Sequence, residues 1–527
     1  MRASTGPVVA LIAACTLAGC GAGSVPRTPA NPEFIDLVAA LPRSLDPADA
    51  QAGAFAAVET SLAGTLVRPA APAPGSSTLA PAGRMTGFLA TSWRVLSGGD
   101  IVLALRPGVR SAFGHTLSGA DVRFSFAREL ALSGTARFLA GLAGISLRDP
   151  VTVLGPLLVR VNVTPASPFA LELLGDFRFG VLDAAAVRAH ASAADPRARS
   201  WLAVHLAGYG AYDQLGFDPG SRLLLRANRH FWRPLGFGLV AVEAFASSAL
   251  RLADVAAGEA SATGALSGSD FAIAAHTSGL RALRLPSATL SVLVPDERFA
   301  PFASVSVRRA LSLAIDRAAI ARDVFGGFAK PALEPVPSTF APEPGGLPPP
   351  YAHDVDLARR LLARAGHAHG FTVALAASPA ESPQAAAELA AIAAQLRAIG
   401  VHAGVRLVAS PADLAALERS GSVAGVLESV TAPVASVALT LAASYLRGSP
   451  FNTENYDDPA LDALAGPLTR PPATGAPGAV TRALAIVAGT FPVIPLVELP
   501  DQVVTRAAIG GYGANPAGAV YFDRLGG

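Results

Sequence analysis

Few side chains in this sequence have the types and spacing that catalysis needs. A phosphate-binding loop requires Gly-Lys-Ser/Thr, but the sole lysine, Lys330, precedes Pro331. Gly208-Tyr209-Gly210 begins like a dinucleotide-binding turn, yet Asp213 stands where the third glycine belongs. A Gly-x-Ser-x-Gly elbow for a serine nucleophile does not occur. Paired carboxylates for glycoside chemistry are recognised by spatial distance, which a sequence does not show. We therefore predict that the protein is not an enzyme.

Two pairs of side chains could hold a metal ion, and each has a simpler interpretation. His367 and His369 follow a predicted helix stop at Gly366, so we interpret them as solvated turn residues. Asp457 and Asp458 precede proline, a residue suited to the first helical turn, and so more simply begin a helix. No metal site and no cofactor are predicted.

The first twenty residues have the pattern of an export signal that ends in a lipid attachment site. Arg2 supplies the positive charge, and the apolar run over 7–17 is too short for a stable membrane span. Leu17-Ala18-Gly19-Cys20 resembles the bacterial lipoprotein signal, in which the Cys thiol is acylated before cleavage. We expect residues 1–19 to be removed, Cys20 to carry the lipid and residues 20–32 to form a tether. The alternative is an unmodified Cys20 after an ordinary secretory signal.

The cysteine count constrains the exported chain. Cys15 lies within the segment to be removed, so a lipidated Cys20 would be the one cysteine left. A disulfide and a cysteine-based metal centre are then excluded. The uncharged stretch 429–446 contains Pro433 and several hydroxyl side chains, so we interpret it as buried chain in a globular domain. We expect a protein held by lipid on the outer face of the cytoplasmic membrane.

Composition excludes two further classes. Hydrophobic residues make up 51% of the 527 residues and charged residues 15%, which is enough apolar surface for a folded core and excludes general disorder. The net charge of +2 excludes a large electrostatic surface for nucleic acid. Every basic residue but Lys330 is arginine, which suggests a GC-rich genome.

Hydrophobic periodicity predicts an α/β chain. Residues 101–105, 222–226 and 401–408 read as strands. Apolar residues from Val307 to Ile315 recur at helical spacing behind a possible cap at Ser306. Further helices are predicted to begin at Asp354 and at Ser382-Pro383.

Several segments, in order along the chain, resemble the family 5 solute-binding proteins of ATP-binding-cassette importers, the peptide, dipeptide and nickel group. The most specific stretch is Leu105 to Val122, and the last begins at Asn455-Tyr456. The matching segments are Leu45-Asp46-Pro47, Leu89 to Val95, Leu105 to Val122, Gly208 to Tyr212, Asn228 to Trp232, Pro301 to Arg317 and Asn455 to Leu464. An actinobacterial source is expected.

The resemblance implies an α/β fold of two lobes joined by a hinge, of the class II or cluster C periplasmic-binding type, with an extra subdomain. The first lobe would comprise residues 33–66, 200–290 and 500–527, the subdomain 67–199, and the second lobe 291–499. A ligand that touches both lobes only when they close shifts the open–closed equilibrium.

The prominent side chains of the matching motifs are expected to stabilise the fold. Trp93, Phe113, Trp232 and Phe302 are interpreted as core or loop anchors. Asp121 and Asp316 are interpreted as helix caps or as ion-pair partners of Arg110 and Arg317.

Ligand-contacting residues follow from the resemblance alone. On the first lobe they are Gln51, Ala52 and Gly53, and on the second lobe Gly425, Val426, Leu427 and Ser429. Peptide-binding relatives carry a Trp and an ammonium-binding Asp where this sequence has Val426 and Ser429. Glu428 is adjacent but would point to the other face of a strand. The usual peptide anchor is therefore in doubt.

The resemblance predicts a monomeric lipoprotein that captures an oligopeptide or related solute and delivers it to an ABC permease and its ATPase subunits. The alternative is a non-transporting envelope lipoprotein that uses the same scaffold to regulate or assemble cell-wall machinery. Replacement of the ammonium-binding Asp by Ser429 motivates that alternative.

Overall fold

The structure is a computed structural model that describes residues 33–49, 61–70, 79, 84–340, 351–432, 434–452, 456–470, 478–513 and 520–527. The predicted signal segment, Cys20, the tether and the first-lobe contacts Gln51, Ala52 and Gly53 lie outside the described residues.

Strands form one long mixed sheet and two smaller antiparallel sheets. Their bounds are β1 Phe34–Val38, β2 Val67–Pro69, β3 Met85–Gly87, β4 Ala90–Val95, β5 Ile101–Leu105, β6 Val151–Gly155, β7 Leu158–Val161, β8 Tyr212–Asp218, β9 Arg222–Ala227, β10 Leu239–Ala244, β11 Ala262–Gly264, β12 Leu280–Pro295, β13 Lys330–Pro331, β14 Phe371–Ala377, β15 Val401–Leu407, β16 Gly425–Thr431 and β17 Ile494–Arg506. The long sheet has the order β15-β14-β16-β12-β17-β11-β1-β10-β9-β8, with β13 pairing on β17.

Helices cover both faces of that sheet. Their bounds are α1 Gly119–Leu132, α2 Gly134–Leu142, α3 Ala170–Leu173, α4 Ala184–Ala189, α5 Arg199–Leu202, α6 Ser248–Ala257, α7 Gly268–Ala275, α8 Val305–Ala314, α9 Arg317–Ala319, α10 Val355–Arg364, α11 Ala385–Leu396, α12 Pro411–Ser420, α13 Val437–Tyr445, α14 Pro459–Asp462, α15 Ala465–Thr469 and α16 Ala479–Thr490. A π-helical turn at Ile320–Val324 continues α9, and short 3-10 turns lie at Pro47–Asp49, Phe177–Phe179, Ala300–Ala303, Arg397–Ile399 and Phe522–Arg524.

We call the part around β1 and β8–β11 the first lobe, the part around β13–β16 the second lobe, and the part around β4–β7 with α1 and α2 the subdomain. The first two share β12 and β17, which pair with each other along both lobes. Their register shifts between Leu285 and Thr289, where Pro286 and Pro500 interrupt the ladder. Because proline donates no backbone hydrogen bond, pairing is weakest at this crossing. The crossing has the position of a hinge.

The subdomain has its own sheet, and two glycines bring two segments of the first lobe close together beside it. Strands β4-β5-β7-β6 form its sheet, and α1 packs across β6. The Tyr209 and Gly210 N–H groups donate to the Ala63 and Leu62 carbonyl oxygens, a Cβ on Gly208 would lie 2.4 Å from the Ala63 Cα, and a Cβ on Gly210 would overlap the Ser61 carbonyl oxygen. This close approach explains why the two glycines stand in a motif that otherwise departs from its family pattern.

Most elements predicted from periodicity are confirmed. Strands occur over 101–105, 222–227 and 401–407, and Asp354 caps α10, accepting from the Leu357 N–H at 2.8 Å. The cap of α8 is Ser304, so the prediction of Ser306 is wrong by two residues. The helix expected at Ser382-Pro383 begins at Ala385, because the Ser382 hydroxyl first accepts the Gln384 N–H and holds a turn.

Both motif aspartates are caps. Asp316 accepts the Ala319 N–H at 2.9 Å, and Asp121 closes a capping box with Ser118. Neither forms an ion pair with Arg110 or Arg317 among the described residues. Within the same part of the chain, Phe302 is buried, but Phe113 is 46% exposed, so it is not a core anchor.

The uncharged stretch 429–446 includes the end of β16, which is partly exposed, and α13, which is largely buried, so the interpretation as buried chain holds for α13 and not for the strand end. Among the described residues, no helix is long and apolar enough to cross a membrane.

Candidate functional site

The carboxyl ends of two sets of parallel strands converge on the hinge. In the first lobe β1 runs parallel to β10 and β11, and β11 ends at Gly264, opposite Val503 of β17. In the second lobe β14 runs parallel to β16, which ends with Thr431 opposite Thr289, beside the register shift. Ligands of open α/β sheets bind outside the carboxyl ends of strands. The space between these edges is therefore the candidate site.

Glu381 lies at this edge, in the turn that follows β14. Its own N–H donates to the Ser378 carbonyl at 3.0 Å, which curls the chain back towards β16. Its carboxylate accepts the backbone N–H of Ser429, because β16 extends past the end of β14 there. Burial raises the pKa of Glu381 to about 7 despite that hydrogen bond. A titratable carboxyl group thus stands beside Ser429, supplied by the turn after β14.

Glu428 is the second carboxylate of the edge. Strand alternation places it on the face that carries Val426, opposite to Ser429. Burial raises its pKa to about 8, and the nearby charges of Glu418 and Glu381 add to the rise. The buried hydroxyl of Ser378, one residue beyond β14, has no hydrogen-bond partner among the described residues. The edge around Glu381, Glu428 and Ser378 therefore has buried carboxyl groups without a nearby cation and a hydroxyl group without a hydrogen-bond partner.

The predicted second-lobe contacts divide into packing residues and one edge residue. Val426 is 1% exposed in one core, and Leu427 is 3% exposed in the core on the other face of the sheet. A Cβ on Gly425 would come within 2.7 Å of the Val294 carbonyl oxygen. Ser429 is partly accessible at the candidate site.

Glu381 was missed in the sequence because it belongs to none of the family-like motifs. A local signal was available: Glu381 follows the apolar-rich run 371–377 by four residues and precedes a predicted helix. Residues in that position lie at the carboxyl edge of a parallel sheet.

Two more buried carboxylates lie on the first-lobe side, and one of them, Asp501, is at the hinge. Asp36 on β1 is 8% exposed, and burial raises its pKa to about 7. Asp501 on β17 stands opposite Leu285, the last residue before the register shift, and burial raises its pKa to about 7 as well. The whole crossing therefore disfavours further negative charge.

Direct contacts already link the lobes across this space. The Gln384 amide Nε2 donates to the Leu266 carbonyl oxygen at 3.0 Å, and the Leu266 N–H donates to Gln502 Oε1 at 3.1 Å. The Leu79 N–H donates to the Thr339 carbonyl oxygen at 2.9 Å. Helix α2 of the subdomain also packs against α13 of the second lobe. The edges are held close enough for one small ligand to touch both.

A metal centre is not supported by the described part of the chain. It contains no group of three or more His, Cys, Asp or Glu residues arranged to hold an ion. His367 lies in a turn after α10 with its ring against Phe371, and His369 is exposed. Asp458 caps α14, and Asp457 pairs with Arg447.

Comparisons with known proteins agree with this architecture. Residues 84–439 match the family model described as "Bacterial extracellular solute-binding proteins, family 5 Middle". The glutathione-binding protein GsiB of Escherichia coli O157:H7 is 25% identical over 306 residues, 55% of each chain. The probable D,D-dipeptide-binding periplasmic protein DdpA of Escherichia coli K12 is 26% identical over 254 residues, 48% of each chain. The chain thus spans about half the length of the curated relatives it matches.

Solved structures match over a larger share. DppA from Helicobacter pylori in complex with the peptide STSA has a TM-score of 0.81 at 20% identity, covering 93% of this chain and 97% of that one. The dipeptide-binding protein from Pseudoalteromonas sp. SM9913 in complex with Met-Leu has a TM-score of 0.81 at 19% identity, covering 94% and 99%. At sequence identity this low, the structural match establishes the shared two-lobed fold and nothing further.

The family match spans most of the chain, and the lobes, hinge and facing strand edges accord with it, so the chain belongs to the bacterial extracellular solute-binding proteins of family 5.

Proposed function

We propose that this protein is an extracytoplasmic lipoprotein that captures an oligopeptide or related solute with a cationic end and delivers it to an ABC permease. The observation that carries the proposal is the pair Glu381 and Glu428 at the carboxyl edges of β14 and β16. Peptide or dipeptide ligands in the related structures, and glutathione for GsiB, support the ligand class. The lobe boundaries expected from the sequence remain part of this proposal.

The electrostatics favour an ammonium over a neutral group. A buried carboxylate without a cation is costly to ionise, and the raised pKa values of Glu381 and Glu428 express that cost. An ammonium placed between them would favour the charged forms, so binding would release protons into solution. Ser429 cannot neutralise an ammonium, but Glu381, hydrogen-bonded to its backbone, can.

The hinge supplies the closing motion. Around Pro286 and Pro500, the Ser287 hydroxyl donates to the Leu499 carbonyl oxygen, and the Thr339 hydroxyl donates to the Ser287 carbonyl oxygen. These side-chain bonds replace ladder bonds that the prolines remove. A ligand that bridges Glu381 and the first lobe would stabilise the closed arrangement.

The test is binding of unmodified and N-acetylated di- to pentapeptides, measured by calorimetry and by thermal shift. Free-amine peptides should bind and raise the melting temperature, since ligand binds the folded state. The double variant E381Q/E428Q should lose about 10- to 100-fold in affinity for them, as expected for hydrogen bonds to charged groups. E388Q is the control, because Glu388, at 1% exposed, is more deeply buried than Glu381 and Glu428 and already accepts the Ser291 hydroxyl at 2.8 Å.

Equal binding of acetylated peptides, or an unaffected double variant, would contradict the cationic-end assignment. The lipid anchor has its own test: labelled palmitate should enter the wild-type protein and not the C20S variant. Delivery is tested by uptake of the bound peptide in cells lacking the protein.

The alternative function, a non-transporting envelope protein, is favoured by one observation. The subdomain and the second lobe are in hydrophobic contact, with Leu439 and Ala443 of α13 packed in the subdomain core. A permanent closure of this kind would suit a partner-binding scaffold. Scattering profiles that stay unchanged over the whole peptide panel, with unimpaired peptide uptake in the deletion strain, would favour it.

A further inference from the structure

A surface pocket of about 430 Å³ lies in the first lobe, in the loop between β9 and β10. Arg229, Arg233, Phe231 and Trp232 are among its lining residues. The loop is held at its base, where the Ala227 N–H donates to the Gly238 carbonyl oxygen at 2.8 Å. The pocket therefore belongs to an ordered part of the lobe.

The loop follows β9, whose carboxyl end lies beside the amino end of β10 because the two strands are antiparallel. The candidate solute site lies at the other ends of β1 and β10. The pocket is thus at the opposite edge of the lobe and takes no part in solute capture.

Arginines and aromatic rings are interleaved there. The Arg106 guanidinium carbon lies 4.4 Å from the centre of the Trp232 ring, and its Nε donates to the Phe88 carbonyl oxygen at 3.1 Å. Arg68 lies 3.5 Å from the centre of the Phe88 ring. Such stacking fixes the Arg106 guanidinium in place while leaving its two terminal nitrogens able to donate to a ligand.

Positive charge is in excess at this edge. Asp523 is the carboxylate that neutralises Arg68 and Arg233. Arg106 and Arg229 form no salt bridge within the described part of the chain, and the charge of Arg233 adds to the burial that lowers the pKa of Arg106. A chain with a net charge of only +2 therefore concentrates cations beside one loop whose aromatic rings, Phe231 and Trp232, are half-buried. That chemistry fits a phosphate-bearing anion.

The position of Glu33, where the chain that follows Cys20 joins the first lobe, points to a membrane lipid as the source of that anion. The Glu33 N–H donates to the carbonyl oxygen of Leu239, the first residue of β10, at 3.0 Å, so the chain enters the lobe at the base of the pocket loop. From Cys20 to Glu33 the chain can reach at most about 45 Å when fully extended. A lipid on Cys20 would keep this edge near the membrane surface.

We infer that the pocket around Arg106, Arg229, Arg233 and Trp232 binds the phosphate headgroups of anionic lipids and orients the solute cleft away from the membrane. The inference rests on the proposed lipid anchor at Cys20. Indole rings favour the membrane interface, and each arginine near an anionic surface adds to the attraction.

The test is flotation of the mature chain from residue 20, carrying C20S, with vesicles of phosphatidylcholine alone or with added phosphatidylglycerol. Wild type should bind the anionic vesicles and not the neutral ones, and R229Q/R233Q should weaken that binding by about 10- to 30-fold. R229K/R233K should retain most of it, since the charge remains. R309Q/R406Q, two exposed arginines of the second lobe, is the matched control and should bind as wild type does.

Unchanged flotation of a folded R229Q/R233Q protein, verified by its melting temperature, would overturn the inference. Protection from thermal unfolding by inorganic phosphate without vesicle binding would also overturn it, because the pocket would then take a free anion. Peptide affinity serves as the independent readout: it should be the same in R229Q/R233Q, and its loss in E381Q/E428Q would leave flotation unchanged.

Discussion

Two sets of buried charges in the second lobe differ in how the fold treats them. Arg317 donates to the carbonyl oxygens of Pro495 at 2.6 Å and Ser312 at 3.0 Å, and also to that of Tyr351. Glu381 and Glu428, by contrast, have no ion-pair partner among the described residues, and burial raises their pKa values to about 7 and about 8. The arginine belongs to a family-like motif, whereas Glu381 belongs to none and Glu428 lies in a segment that departs from the family pattern.

The difference separates scaffold from site. Arg308 repeats the arginine pattern, donating to the Thr490 carbonyl oxygen at 2.6 Å and the Phe302 carbonyl oxygen at 2.7 Å. Motif charges of this kind close strand and helix ends and leave no capacity for a ligand. Buried ionisable side chains that lack a partner within the protein are the better candidates for binding a ligand.

The largest effect should come from removing a satisfied arginine. Arg317→Ala would leave several buried carbonyl oxygens without donors, at about 1–3 kcal/mol for each that water cannot reach. We expect a loss of about 4 kcal/mol or more in the free energy of unfolding, measured by urea titration. Arg309→Ala, an exposed arginine on α8, should change it by less than about 0.5 kcal/mol. Similar stabilities for the two variants would show that motif arginines are dispensable to the scaffold.

A smaller effect should distinguish the glutamates by pH. Between the ordinary glutamate pKa of about 4.3 and the raised value of about 8, the folded protein binds more protons at Glu428 than the unfolded chain does. Stability of the ligand-free protein should therefore fall as pH rises through that window. Glu428→Gln should leave stability unchanged near pH 5 and raise it by about 1–2 kcal/mol near pH 9.

Glu388→Gln should show a similar pH dependence and serves as the positive control, because burial also raises the pKa of Glu388 to about 8 even though it accepts the Ser291 hydroxyl. Parallel pH profiles of wild type and Glu428→Gln, measured by urea unfolding, would mean that Glu428 ionises normally. The carboxyl edge would then lack the unpaired buried carboxylate on which cation binding depends.

The scaffold residues could be predicted from the sequence, and the main site residue could not. The fold was accessible because its markers are local: Asp316 precedes a helix, Asp354 caps another, and Gly210 stands where no Cβ fits. The position of Ser429 was also correctly placed on a strand. The acid beside it was not accessible, because Glu381 reaches Ser429 through the pairing of β14 with β16, a contact between residues far apart in the chain.

Motif matching interpreted the exchange of Asp for Ser429 as the loss of an anchor. The structure places a carboxyl group, that of Glu381 in the turn after β14, beside Ser429 at that point of the edge. Val426 and Leu427, by contrast, are buried on opposite faces of the sheet, a distinction that follows from strand alternation once the register is known.

The smallest effect should come from restoring the family residue, and it would sharpen the comparison most. In Ser429→Asp the new carboxylate would share its corner with Glu381, whose carboxylate already accepts the residue 429 N–H, and with Glu388 across the strand pair. We expect peptide affinity to change by less than about threefold, and stability near pH 8 to fall by about 0.5–1 kcal/mol through like-charge repulsion. Ser429→Asn, which adds similar volume without charge, should show no such pH dependence. In Glu381→Gln the same Ser429→Asp change should instead recover most of the lost affinity, because one carboxylate then stands where one is needed. A gain of tenfold or more in the single Ser429→Asp variant would mean that Glu381 does not substitute for the missing aspartate.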